Sequence, residues 1–168
     1  ARDTAQRMLG WFYPATDDEA AVYTFDTRLH EVMPFTAGLR RLPASVDGVV
    51  PFGQTSLWDA IAETARELAN QEGRRRAIVA LTDGDDNTSR LTPSEVTQGA
   101  ASIDVPVYVV GLLRSIDIPA EPGDRRGLGY ASLVGPLADL ATETGGRLFV
   151  TSSSTERSTA AQQIVEEL

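Results

Sequence analysis

Two short stretches fix the choice of architecture. Residues 77–81 (AIVAL) and 105–110 (VPVYVV) are apolar almost without interruption. A strand with one face in water alternates apolar and polar residues; a run that is apolar throughout belongs to a strand covered on both faces, as in parallel sheets. Helical patterns surround these runs. Asp3, with Gln6 in capping-box position, opens a helix that stops at Pro14, and Ser56 with Asp59 repeats that spacing before Leu57, Ala60, Ile61, Ala65 and Leu68. Thr92, Pro93 and Glu95 supply an N-cap, a first-turn proline and an acid for another helix. Residues 133–144 and 155–168 read as further helices, with a short strand at 147–150 between them and a Gly/Pro-rich loop at 114–129 before them. Residues 20–25 and 29–35 are β-rich and joined by a short polar turn, which predicts an antiparallel hairpin. The alternation gives one α/β domain over 1–168, Rossmann-like and doubly wound, with a mainly parallel sheet, one antiparallel edge strand and residues 77–81 at the sheet centre.

Composition removes many chemistries. The chain has 15 basic and 24 acidic side chains and a net charge of −9, and every basic residue is Arg. Without Lys there is no conventional P-loop and no Schiff-base nucleophile. Without Cys there is no thiol nucleophile, disulfide or Cys-bound zinc, and the one His excludes a two-His zinc helix. The acidic balance argues against nucleic acid, whose affinity comes mainly from cations on phosphates. The longest apolar stretch, 105–113, contains Pro106 and Gly111 and spans half a bilayer, so no membrane-crossing helix is expected. The chain opens on Ala1 directly in a helical pattern, which reads as a piece of something longer.

In open parallel sheets ligands bind beyond the carboxyl ends of the strands. Two loops qualify: Gly53-Gln54-Thr55-Ser56 at a helix start, and Thr82-Asp83-Gly84 just past 77–81. A hydroxyl and a carboxylate with no soft ligand suit a hard cation such as Mg²⁺, which prefers oxygen and keeps several waters. At these residues the chain resembles the von Willebrand factor type A domain, most nearly its bacterial members. Gly53-Gln54-Thr55-Ser56-Leu57-Trp58-Asp59-Ala60-Ile61 is similar to that family's second metal-site loop, and Leu81-Thr82-Asp83-Gly84-Asp85-Asp86-Asn87 to its third. The likeness extends to Tyr23-Thr24-Phe25-Asp26, to Val107-Tyr108-Val109-Val110-Gly111-Leu112 and to Thr144-Gly145-Gly146-Arg147-Leu148-Phe149. It implies a non-enzymatic protein-binding module with a metal-ion-dependent adhesion site. Thr55 and Asp83 are its metal ligands by that resemblance, and a partner protein's acidic side chain completes the Mg²⁺ shell; Ser56, Asp59, Asp85 and Asp86 are candidates for a second shell or rim around them. Family members sit in secreted and membrane-tethered proteins, which points to an extracytoplasmic parent.

The family's first motif, Asp-x-Ser-x-Ser at the end of the first strand, is not in the sequence. Three oxygen ligands go with it, so weak metal binding is expected. In a sheet ordered 3-2-1-4-5-6 the missing strand lies between residues 20–25 and 77–81. Either another segment or a neighbouring molecule pairs there, or the two edges close on each other. An alternative function is a Mg²⁺-dependent phosphotransferase or hydrolase using Asp83 or Asp85, against which the absence of Lys weighs. Another is a metal-free scaffold with its interface on 114–129. Asp59 reads as a helix-capping acid and Asp85 and Asp86 as a solvated rim. His30 is read as a surface residue with no role, and Trp11 and Trp58 as packing anchors.

Overall fold

The computed structural model describes residues 6–7, 10, 19–37, 46, 48, 54–71, 75–112 and 126–168. The elements run β1 (Glu19–Phe25), β2 (Leu29–Ala37), α1 (Leu57–Ala69), β3 (Ile78–Thr82), α2 (Pro93–Ser102), β4 (Val107–Leu112), α3 (Arg126–Thr144), β5 (Leu148–Thr151) and α4 (Ser154–Glu167). The 3–14 helix, apart from helical Gln6 and Arg7, lies outside the described residues, as do Trp11, Gly53 and most of the 114–129 loop.

β1 and β2 form the expected antiparallel hairpin, and β3, β4 and β5 form a parallel sheet in that order. The apolar runs thus do sit in a parallel sheet, and among the described residues its central strand is β4 rather than β3. Val107, Tyr108, Val109, Val110 and Gly111 are buried, whereas Val79, Ala80 and Leu81 of β3 are only half-buried. β3 has β4 on one side and, among the described residues, no strand on the other. The edges of β1 and β3 do not close on each other.

Period-2 alternation divides the core between two faces. Val107, Val109 and Ile78 pack with Leu57, Trp58 and Ile61 of α1, Val96 and Ala100 of α2, and Leu137 and Leu140 of α3. Tyr108 and Val110 face the other way, onto Ala161 and Ile164 of α4. Phe25 and Phe35 of the hairpin join the first cluster, so both sheets share one core. Tyr23 on β1 also hydrogen-bonds to Glu67 on α1. Burial first, and then that carboxylate, push its phenol well above the ordinary tyrosine range.

Local chemistry explains most boundaries. Thr92 and Glu95 form the capping box anticipated for α2, and Ser153 with Glu156 forms another on α4. Helix α3 starts earlier than expected and continues through Gly127, Gly129 and Pro136; helix propensity is a weak bias that tertiary context overrides. It ends in a Schellman turn: the N–H of Gly145 donates to the Thr142 carbonyl (3.2 Å) and that of Gly146 to the Ala141 carbonyl (2.8 Å). Gly145 adopts φ 81°, where a side chain is strained. At the same corner the buried Thr144 hydroxyl accepts from the N–H of Val107 (3.0 Å) and donates to the Leu140 carbonyl (2.7 Å), tying α3 to the start of β4.

Candidate functional site

The site candidates occupy the carboxyl end of β3 and the amino end of α1. β3 ends at Thr82, whose hydroxyl accepts the N–H of Gly84 (2.9 Å) in a tight turn where Gly84 holds φ 87°. Asp83 and Asp85 are exposed on this turn. Among the described residues, none hydrogen-bonds to either carboxylate or to the Thr55 hydroxyl.

The two loops are bound together through their backbones and polar side chains. The N–H of Thr55 donates to Asn87 Oδ1 (3.0 Å), and the Thr55 carbonyl accepts from the N–H groups of Asn87 (3.0 Å) and Thr88 (3.2 Å). The Ser56 hydroxyl lies 2.7 Å from that of Thr88. The carboxylate of Asp86 and the hydroxyl of Ser89 each accept the N–H of Trp58 at 3.1 Å, and Ser89 also accepts from the N–H of Asp59 (3.1 Å). In return Asp59 accepts the N–H groups of Arg90 (3.1 Å) and Leu91 (3.0 Å). The result is a reciprocal clasp between residues 55–59 and 86–91. The hairpin turn joins it, because the N–H of Ser56 donates to the Asp26 carbonyl (2.7 Å).

This geometry revises several expectations. Ser56 makes no cap bond to α1; its hydroxyl is held by Thr88, and the helix is capped across space by Asp86 and Ser89. Asp59 caps nothing on its own helix. Asp86 is half-buried and engaged, while Asp85 is exposed and hydrogen-bonded to none of the described residues. His30 has a partner, Asp26 Oδ1 at 3.2 Å, although both remain solvent-accessible. The signal in the sequence for Asn87, Thr88 and Ser89 is a polar run between an apolar strand and a proline-led helix.

Partial burial raises the pKa of Asp59, but donation from Leu91 and Arg90 outweighs it and leaves the carboxyl below the ordinary aspartate range. A carboxyl depressed by folding contributes stability above its unfolded pKa, and that stability is lost as pH falls through the folded value. Asp59→Asn is therefore expected to flatten the acid limb of the stability curve, measured as urea midpoints from neutral pH downward. A variant whose midpoints run parallel to wild type over that whole limb would show that the clasp does not depend on this charge.

The donors free to act are hard oxygens, which suits a hydrated Mg²⁺ better than any soft metal. Among the described residues no three His, Cys, Asp or Glu side chains gather closely enough to hold a metal by themselves. No described helix is long and apolar enough to cross a membrane.

No protein-family model matches the sequence, and no curated protein matches it. Solved structures do. BatB from Bacteroides thetaiotaomicron is matched with a TM-score of 0.70 at 20% identity, covering 98% of this chain and 85% of that one. An aerotolerance-related membrane protein from Bacteroides fragilis gives 0.73 at 21%, covering 99% and 87%. A von Willebrand factor type A protein from Catenulispora acidiphila gives 0.67 at 15%, covering 99% of this chain and 36% of that longer one. The fold is that of a von Willebrand factor type A domain. In this type A fold, the Thr55 and Asp83 loops are the two that the clasp joins.

Proposed function

We propose that this type A-like domain is a non-enzymatic protein-binding module whose contact with its partner runs through a divalent cation. Thr55 and Asp83 hold Mg²⁺ together with several waters, and an acidic side chain on the partner protein completes the shell. Ser56, Asp59 and Asp86 brace the two loops, and Asp85 stands on the rim, where its charge favours a cation. The observation that carries this reading is the clasp: Thr55 exchanges backbone hydrogen bonds with the same short loop that presents Asp83. Bound there, the cation would bridge two carboxylates that otherwise repel.

The partner surface also includes an extended segment, from the same polypeptide or a neighbouring molecule, paired along β3. Ile78 directs its N–H toward β4, to the Pro106 carbonyl at 2.9 Å. Successive residues alternate, so Val79 and Leu81 turn their N–H and C=O groups to the edge that no described strand occupies.

Mn²⁺ binding followed by electron paramagnetic resonance, with Mg²⁺ as competitor, tests the cation site. Thr55→Ala and Asp83→Ala are each expected to weaken binding about tenfold or more, since groups that merely support a ligand are already worth about 10- to 100-fold. Unchanged affinity in both variants would overturn the reading. Phosphate-ester turnover abolished by Asp83→Asn would establish the hydrolase alternative instead.

A further inference from the structure

The amino end of α1 is an awkward neighbour for a cation. Its first N–H groups have no partner within the helix, and together they amount to about half a positive elementary charge. Thr55 lies immediately before this end, with Leu57 opening the helix. The helix has one acid in its first turn, Asp59. That carboxylate is turned away to the N–H groups of Arg90 and Leu91, with the Arg90 guanidinium 3.5 Å from it.

Asp86 stands differently. One of its oxygens accepts from the N–H of Trp58 (3.1 Å) and from the Ser89 hydroxyl (2.5 Å), and the other accepts from the N–H of Ser89 (3.1 Å). Both oxygens are thereby fixed at the helix end. Among the described residues no cationic side chain answers this charge.

We propose that Asp86 is a positioning residue whose negative charge offsets the positive end of α1, so that the Thr55 hydroxyl can face a hard divalent cation. This rests on the adhesion-site reading. Asp86 does not ligate the metal. It sets the local potential in which Thr55 and Asp83 do so, in the way an acid at a helix start stabilises the helix itself.

The test is Mn²⁺ affinity of the full chain, at low and high salt, for wild type, Asp86→Asn, Ser89→Ala and Asp139→Asn. Asparagine keeps an acceptor for Trp58 but loses the charge. Its Mn²⁺ dissociation constant should rise about two- to fivefold at low ionic strength, and the difference should shrink as salt screens it. Asp139 is exposed on α3 and removes the same unit of charge elsewhere; its variant should bind nearly as wild type does. Ser89→Ala loosens the clasp without changing charge, and its effect should not depend on salt. Should Asp86→Asn fail to fold, Asp86→Glu against Asp86→Gln makes the same comparison, with glutamate retaining affinity.

Equal affinity of Asp86→Asn and Asp139→Asn, or a loss in Asp86→Asn indifferent to salt, overturns the proposal. If Thr55→Ala and Asp83→Ala weaken binding and Asp86→Asn does not, only the role of Asp86 falls. If those two variants bind as wild type, or wild type binds no Mn²⁺, the adhesion-site reading falls and takes this proposal with it.

Discussion

Gly146→Ala is expected to destabilise the domain by about 3 kcal/mol or more, the upper end of what overpacking costs. A Cβ built on Gly146 meets the Val107 carbonyl oxygen at 2.2 Å and its carbonyl carbon at 2.5 Å. Neither neighbour is a side chain that can swing aside. Both belong to the start of β4, which Thr144 fixes from the same corner. For a domain of this size the loss corresponds to a fall of roughly 6 to 12 °C in the thermal midpoint, at about 2 to 4 °C per kcal/mol. Gly135→Ala is the control, because nothing lies within 4 Å of its added methyl group. A Gly146→Ala protein that melts with wild type would show that α3 and β4 do not meet as closely as described.

Leu140→Ala should cost about 2 to 5 kcal/mol, the range for emptying a buried leucine site. Leu140 is fully buried and sits in the cluster that joins β4 to α1, α2 and α3. The other members of this cluster are attached to several different elements, so they cannot all move inward to fill the space. Denaturant midpoints measured with and without the substitution give the number directly; a change below about 1 kcal/mol would mean that the site collapses freely and the core is looser than the fold implies.

The regular elements were legible because their signals are local. Unbroken apolar residues at 77–81 and 105–110 marked a parallel sheet, and Thr92-Pro93-Ser94-Glu95 carried the start of α2 in four positions. What could not be read was which strand lies at the centre, since an apolar run records burial and not neighbours. Among the described residues β3 is bonded on one side and β4 on both. The Ser56 and Asp59 pair illustrates the same limit. Its spacing matches a capping box, but Thr88 and Arg90, about 30 positions along the chain, compete for those side chains and win. For the site, the family resemblance singled out Thr55 and Asp83, and the loops that carry them do meet. Many of the bonds that join those loops are made by Asn87, Thr88 and Ser89, whose roles depend on tertiary approach and leave no periodic trace in sequence.

The edge of β3 that no described strand occupies bears on how the molecule behaves in concentrated solution. Backbone groups at Val79 and Leu81 that find no mate within the described residues can accept one from another molecule, a second copy included. What opposes such sticking is colloidal: a net charge of −9 makes copies repel. That repulsion weakens with added salt and vanishes near the isoelectric point of about 4.6. Handling the protein at low ionic strength and well above that pH preserves the separation between copies.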